Sequence, residues 1–285
     1  MAEKRGIDIS RYQGKPDFGK LKSAVDFVIV QAGFGRYASQ VDAEFERNYA
    51  ECHKNGIPVG AYWFGYALTP ADARAEAQAC MQALKGKTFD YPIYYDMETD
   101  VESNHYPFAT GKANCTAMVN AFCGELEKNG YYAGLYISRS PCQDYIEKST
   151  AARYALWIAD YADKCYYNGD VGIWQYSSTG HVNGISAKVD MDICYEDYPK
   201  IIKQGGFNNF PKADPKTLDT EGFKRGDKSL GVYYLKQRLR AKGYKVDDTE
   251  GFGRGTENAV NEILSAKGYE PNGIAGKGFA RLVMR

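Results

Sequence analysis

Histidine is scarce in this sequence of 285 residues, which contains only His53, His105 and His181. No two of them stand at the spacing of metal ligands, so the sequence gives little support to a histidine metal site or a Ser-His-Asp triad. The seven cysteines are widely spread and form no Cys-x-x-Cys pair. This distribution argues against a structural zinc or a disulfide framework and favours reduced thiols. We therefore expect no cofactor and no metal.

Long apolar runs are also missing. No stretch approaches the roughly 18 apolar residues of a membrane-spanning helix, and the first eight residues lack the apolar core of a signal peptide. The expectation is a protein made in the cytoplasm without a signal peptide and with no membrane partner. The formal net charge is zero, so no global charge favours nucleic acid as a partner.

Tyrosine is abundant instead, with 24 residues, and aromatic residues make up 14% of the chain. Aromatic rings with a polar edge suit sugar or peptide surfaces, although many of them must belong to the core. The length allows one large α/β domain and a small second one.

The first two thirds of the chain alternate between strand and helix patterns. Helices are predicted over 43–54, 69–85 and 110–129, each of them followed by a glycine or an Asn-Gly stop. Strands are predicted over 6–9, 27–33, 57–66, 91–96, 132–137, 155–159, 172–176 and 188–194. This order predicts an α/β fold, an irregular barrel of β/α units with a largely parallel sheet.

Two carboxylates end the strand over 91–96. Asp96 and Glu98 stand two residues apart, which in an extended chain places both side chains on one face, roughly 6.6 Å apart. Burial and like charge raise carboxyl pKa values, so such a pair could keep one acid protonated near neutral pH. The alternative is that both acids lie in a solvated loop past the strand.

Other polar and aromatic residues also fall near predicted strand ends. Functional groups of such barrels gather where the strands end, so acids converging there favour catalysis more than the pair alone does. These residues are Asp8, Gln31, Tyr62, Trp174 and Asp190.

Seven short motifs, in this order along residues 6 to about 198, resemble those of glycoside hydrolase family 25. These are the Chalaropsis-type lysozymes, or N-acetylmuramidases, found in many phage endolysins and bacterial wall hydrolases. The motifs are Gly6-Ile7-Asp8-Ile9-Ser10, Tyr12-Gln13-Gly14, Val59-Gly60-Ala61-Tyr62, Tyr95-Asp96-Met97-Glu98, Leu156-Trp157-Ile158-Ala159, Ile173-Trp174-Gln175-Tyr176 and Val189-Asp190. The sequence departs from the family at Arg11-Tyr12, where an aromatic pair is common, and a sugar subsite could differ there.

The resemblance implies five β/α units followed by three strands, and cleavage of the β-1,4 bond between N-acetylmuramic acid and N-acetylglucosamine in peptidoglycan. It implies Glu98 as general acid/base and Asp96 as the group that orients the acetamido group or stabilises positive charge. Asp8 and Asp190 would complete the acidic cleft, with Asp192 as the alternative to Asp190. The strand spacing does not choose between a retaining and an inverting course, and only the resemblance favours a route in which the substrate acetamido group is the nucleophile.

Aromatic side chains are candidates to stack on sugars or to hydrogen-bond them. The predicted set is Tyr62, Tyr94, Trp174 and Tyr176, with Gln31 as a polar contact, and each aromatic could equally be a core residue.

The chain predicts a catalytic domain over 1–204, a linker over 205–220 and a three-helix domain over 221–285. The order Leu235, Leu239, Gly243-Tyr244 and Gly251-Phe252-Gly253 resembles small peptidoglycan-binding domains of wall hydrolases. From residue 205 onward there are 15 Lys and Arg against 10 Asp and Glu, so this part carries +5 and would suit anionic wall polymers. A helical appendage for stability or dimerisation is the alternative.

The expected setting of a muramidase is an endolysin that is released at lysis and acts on the cell wall, and a host autolysin with the same chemistry is the alternative. Two further hypotheses compete with a muramidase. One is a hydrolase that holds Mg²⁺ or Ca²⁺ between Asp8, Asp96, Glu98 and Asp190. The other is a sugar-binding barrel without catalysis, because a fold does not by itself establish activity.

Overall fold

A computed structural model describes residues 3–210, 222–247, 249–276 and 279. Contacts between Cα atoms divide the chain into two units, Met1–Pro211 and Lys212–Arg285.

The first unit is a closed barrel of eight strands in sequence order, as predicted. Neighbouring strands from β1 to β7 pair in parallel, whereas β8 is antiparallel to both β7 and β1. The strands are β1 (Lys4–Ile9), β2 (Phe27–Phe34), β3 (Val59–Phe64), β4 (Ile93–Asp96), β5 (Ala133–Ser138), β6 (Ala155–Ala159), β7 (Ile173–Gly180) and β8 (Val189–Cys194).

Helices follow each of the first five strands, so five β/α units precede three strands. They are α1 (Phe18–Leu21), α2 (Phe45–Asn55), α3 (Pro70–Leu84), α4 (Lys112–Lys128), α5 (Arg139–Tyr145) and α6 (Lys148–Ala151), and α7 (Tyr198–Gly205) comes after the last strand. The residues that the sequence predicts at the ends of the helices take these positions in the structure. Thr69 caps α3 with Pro70 in its first turn, and Gly56 ends α2 in the left-handed conformation.

Successive side chains along each strand alternate between two environments, the layer between strands and helices and the interior of the barrel. Ile7, Val28, Val30, Ala61 and Leu135 belong to the apolar core shared with the helices. Their neighbours point into the barrel, where the rings of Tyr62, Tyr94 and Tyr136 each meet Trp157. This period of two puts the polar residues of the strands inside the barrel.

The predicted linker begins too early. Residues 205–210 belong to the barrel unit because Asn208 is fully buried and fixes three backbone groups. Its amide nitrogen donates to the carbonyls of Phe89 and Tyr91, and its amide oxygen accepts from the backbone nitrogen of Tyr132. The rest of the predicted linker, 211–220, lies outside the described residues.

The second unit contains the helices Leu230–Ala241 and Arg254–Ala266, which share an apolar core. Lys236 is fully buried, and its ammonium donates to Asp247, to Thr249 and to the carbonyl of Gly251. The loop between the helices is therefore tied to the first of them. The third predicted helix, near 276–283, lies almost wholly outside the described residues. Within the described ranges, no helix is both long and apolar enough to cross a membrane.

Candidate active site

Five carboxyl groups meet at one end of the barrel. Asp8 lies near the end of β1, Asp96 is the last residue of β4, and Glu98 follows two residues later. Because β8 is antiparallel, its beginning lies at the end where the parallel strands finish. Asp190 therefore lies near the mouth, opposite Asp8 in the register, and Asp192 lies deeper.

Burial raises the pKa of every one of these acids, and the charges of neighbouring acids add to this at all of them except Asp190. Burial is the main reason why the pKa of Glu98 rises to about 7, and the charges of Asp190 and Asp100 add to it. Burial likewise raises the pKa of Asp190 to about 6. The pKa of Asp96 rises well above its ordinary value through burial and then through Glu98 and Asp190. Glu98 is only half-buried, so the site presents to solvent an acid that is still half protonated near neutral pH.

A chain of hydrogen bonds orients Asp8. The hydroxyls of Tyr136 and Tyr161 both donate to Oε1 of Gln175, each at 2.9 Å. This fixes the amide so that its Nε2 donates to Oδ2 of Asp8 at 2.8 Å. Gln175 is a functional residue that the sequence reasoning missed. The alternation of β7 was its signal, because the central residue of Trp-Gln-Tyr faces opposite to the two aromatics.

A buried oxygen of Asp96 lacks a hydrogen-bond donor in the described part of the chain. Its Oδ1 is enclosed without a hydrogen-bond partner among the described residues. A buried unpaired carboxyl oxygen is costly, so it either carries a proton or awaits a group from outside the protein. Because Asp96 ends a strand at the barrel mouth, it is placed to receive a donor such as a substrate amide.

Tyr62 lies with the acids, as predicted. Burial raises the pKa of its phenol well above the ordinary value, and the charges of Asp8 and Asp96 add to this, so it remains a neutral hydrogen-bond donor. Gln31 is half-exposed on β2 and pairs in register with Tyr62. Both residues are therefore available at the mouth.

Three other predicted sugar contacts lie elsewhere. Tyr94 is fully buried, one layer below the acids, and burial raises the pKa of its phenol well above the ordinary value, with smaller contributions from Cys194, Tyr132 and Tyr91. Gly134 leaves space for its ring, because a Cβ there would lie 2.4 Å from it. Trp174 and Tyr176 pack against each other on the outward face of β7, opposite to Gln175. A role for these three in binding sugar at the acids is therefore not expected.

The loop that carries Glu98 is held at both ends. Asp100 accepts from the hydroxyl of Tyr66 at 2.7 Å and from the backbone nitrogen of Ser103 at 3.1 Å. Asp100 and His105 also exchange two backbone hydrogen bonds. Hydrogen bonds from Ser103 and Tyr66 lower the pKa of Asp100 to about 2, so it stays ionised. The loop therefore keeps a fixed negative charge close to Glu98.

In the described part of the chain, no group of three or more His, Cys, Asp and Glu side chains is arranged to hold a metal ion. The four acids considered above as a possible Mg²⁺ or Ca²⁺ site do not form such a group. The arrangement is instead an enclosed set of carboxyl groups with one partly accessible proton donor, which suits acid-catalysed cleavage of a glycosidic bond.

Known proteins resemble this chain over the same region. A family model described as glycosyl hydrolases family 25 matches residues 7–185. The autolytic lysozyme of Clostridium acetobutylicum is 27% identical over 266 residues, which are 93% of this chain and 74% of that protein. Similarity to that relative therefore extends beyond the barrel.

Solved structures share the fold. The modular autolysin LytC from Streptococcus pneumoniae, in complex with a synthetic peptidoglycan ligand, matches with a TM-score of 0.60 and 28% identity over 68% of this chain. The match covers 47% of the LytC chain, so this protein spans about half of its length. The CTP1L endolysin matches with a TM-score of 0.60 and 27% identity, covering 70% of this chain and 69% of that one.

Proposed function

The chain belongs to glycosyl hydrolase family 25, and on that premise we propose that it cleaves the β-1,4 bond between N-acetylmuramic acid and N-acetylglucosamine in bacterial peptidoglycan. The observation that carries the proposal is Glu98, a half-buried acid whose pKa burial raises to about 7. The similarity to an autolytic lysozyme and to an autolysin solved with a peptidoglycan ligand supports this substrate.

In the proposed reaction, Glu98 gives its proton to the glycosidic oxygen as the bond to the muramic acid ring breaks. A positive charge then develops on that ring, and the carboxylates of Asp8, Asp96 and Asp190 stabilise it. Because no described residue donates to its Oδ1, Asp96 is suited to accept the N–H of the substrate acetamido group. That contact would orient the acetamido oxygen towards the reacting carbon, as a substrate-assisted retaining route requires.

The biological setting that we propose is host-cell lysis by an endolysin, which acts on the wall after release. The similarity to the CTP1L endolysin supports it. An autolysin that acts on the wall of its own cell is the second candidate, because the relative that matches most of this chain is an autolytic lysozyme. In both settings, the basic second unit would hold the enzyme on peptidoglycan and anionic wall polymers and raise its local concentration.

Mass spectrometry of the fragments released from purified walls tests the proposed bond. We expect every new reducing end to be N-acetylmuramic acid. Reducing N-acetylglucosamine would refute the bond assignment, and binding without any release of fragments would point to a catalytically inactive wall-binding protein. Activity that is unchanged by EDTA would further separate the carboxyl mechanism from a metal-dependent one.

A further inference from the structure

An arginine stacked on aromatic rings lies on the rim of the barrel mouth. Arg11 and Tyr12 belong to the short 3₁₀ helix Arg11–Gln13 that follows β1, and both side chains are exposed, Tyr12 by 73%. The guanidinium carbon of Arg11 lies 5.0 Å from the ring centroid of Tyr12 and 5.9 Å from that of Phe34, the last residue of β2. Its Nη2 also donates to the hydroxyl of Tyr12 at 3.2 Å. These contacts hold the guanidinium against aromatic faces at the mouth.

The backbone that carries this arginine is fixed by side chains. Ser10 accepts a hydrogen bond from the backbone nitrogen of Tyr12, and the side chain of Gln13 accepts one from the backbone nitrogen of Ser10. The buried Asp42 accepts from the backbone nitrogen of Arg11 at 3.1 Å. Because the support is already ordered, little conformational freedom remains to be lost when Arg11 binds a ligand.

The positive charge of Arg11 is not paired with a carboxylate in the described part of the chain. Asp42 directs its carboxylate to the backbone nitrogens of Arg11 and Glu44 instead. A guanidinium has five N–H donors in one plane, and a stacked guanidinium keeps the edge of that plane open. Carboxylates bind to such an edge through two parallel hydrogen bonds.

Aromatic rings connect Arg11 with the loop that carries Glu98. The ring of Phe34 packs edge-on against that of Tyr66, with centroids 6.1 Å apart. The hydroxyl of Tyr66 in turn donates to Asp100 in the Glu98 loop at 2.7 Å. Both rings are half-exposed, so a ligand that covers the acids can extend to Arg11 over one aromatic surface.

Charge restricts what can bind at this position. Asp100 stays ionised beside Glu98, and the carboxylates of the cleft add to the negative charge there, so an acidic group of the substrate is repelled from the centre of the site. Arg11 offers the opposite charge on the β1 side of the same mouth. In the proposed substrate, the acidic group belongs to muramic acid, whose lactyl side chain is a carboxylate or carries the stem peptide. N-acetylglucosamine has no such group.

We propose that Arg11, stacked on Tyr12 and Phe34, is a subsite for the carboxylate that a muramic acid unit carries on its lactyl group or on its stem peptide. The inference rests on the function proposed above, because it assumes a peptidoglycan strand in the cleft. Arg11 thereby favours strands with an acidic side group over neutral chains of the same sugars.

Binding of soluble glycan chains to a non-cleaving protein tests the subsite. In the Glu98→Gln background, Arg11→Gln should weaken the binding of chains that carry carboxylates by about threefold to tenfold. Arg36→Gln is the matched control, because Arg36 also stacks on the tyrosine that follows it, Tyr37, but its charge is paired with Asp72. The control should change the affinity by less than about twofold. No effect of Arg11→Gln, or equal effects of the two substitutions, would overturn the proposal.

Three forms of the glycan chain identify the group that is bound. Chains with stem peptides present the peptide carboxylates, chains from which an amidase has removed the peptides present the lactyl carboxylate, and chains whose carboxyls are converted to methylamides present neither. The form in which Arg11→Gln weakens binding names the source of the carboxylate. Equal weakening with the methylamide chains would contradict a carboxylate subsite. If the unaltered protein binds the chains through Arg11 but releases no reducing sugar, the proposed function is refuted and the subsite stands.

Discussion

Replacing Glu98 by glutamine keeps the shape of the side chain and removes the proton that the reaction needs. General acid catalysis contributes about 10²–10⁴-fold to rate, so kcat for the release of reducing sugar from purified walls should fall by a factor in that range. This corresponds to about 3–5 kcal/mol of transition-state stabilisation. Binding to walls should be unchanged, because the glutamine still fills the same space.

The pH dependence of the unaltered protein follows from the same residue. Glu98 acts in its protonated form, and burial raises its pKa to about 7. The rate should therefore be about half-maximal near pH 7 and fall about tenfold for each further pH unit. Because the five acids titrate together, the midpoint belongs to the set. The direction of the pH dependence is nevertheless fixed, because loss of the proton from Glu98 must lower the rate on the alkaline side.

Replacing Glu98 by glutamine should raise the stability of the fold at alkaline pH although it lowers the activity. The pKa of Glu98 rises from 4.5 to about 7 on folding, so the folded protein binds more protons than the unfolded chain between these values. As pH rises through this window, the acid destabilises the fold, by about 3 kcal/mol once pH is well above 7. Glu98→Gln removes this cost. Its Tm should therefore be higher at pH 8 and unchanged at pH 4, where both states are protonated.

A matched control separates these effects from a general effect of the substitution. Glu127 on α4 also has a pKa raised by burial, but it pairs with Arg153 away from the acids. Glu127→Gln should retain the activity of the unaltered protein. Near-normal turnover by Glu98→Gln, or an equal loss in both variants, would refute the assignment of Glu98 as the acid.

Three further outcomes are expected. Tyr62→Phe should lower kcat/KM by about tenfold through loss of a buried hydrogen-bond donor, whereas Tyr94→Phe should leave it unchanged; equal effects would contradict their placement. Gln175→Leu should lower kcat by about tenfold or more, because Asp8 loses its amide donor, and an unaltered rate would show that this network does not matter. A chain ending at Phe210 should keep its activity but sediment less with walls, and equal sedimentation would rule out wall binding by the second unit.

The barrel could be predicted from the sequence because its strands carry strong local signals. The strand Phe27–Phe34 is mostly apolar, with three β-branched residues in a row at 28–30, and helix stops such as Gly56 mark where each crossover returns. The acids Asp8, Asp96 and Asp190 were found because strand ends converge at one mouth in this type of fold. That step depends on topology alone and needs no side-chain detail.

The sugar contacts were harder to predict, because a shift of one residue along a strand decides whether a side chain points into the barrel or out of it. Trp174 and Tyr176 are aromatic and near a strand end, yet alternation places them on the outside and turns Gln175 inwards. Tyr94 faces inwards but lies a layer too deep, in space that Gly134 provides. Composition favours aromatics for sugars, but only the pairing of the strands fixes the face and depth of each ring.

The antiparallel last strand explains why two acids of one strand can have different tasks. In an all-parallel barrel, residues near the start of a strand lie at the opposite end from the functional groups. Here β8 runs the other way, so its first acid, Asp190, reaches the mouth, and Asp192 follows two residues deeper on the same face. The alternatives Asp190 and Asp192 are thus not exclusive. Asp190 faces the cleft with a pKa of about 6, and Asp192 is enclosed in the barrel, where it accepts a hydrogen bond from the indole of Trp157.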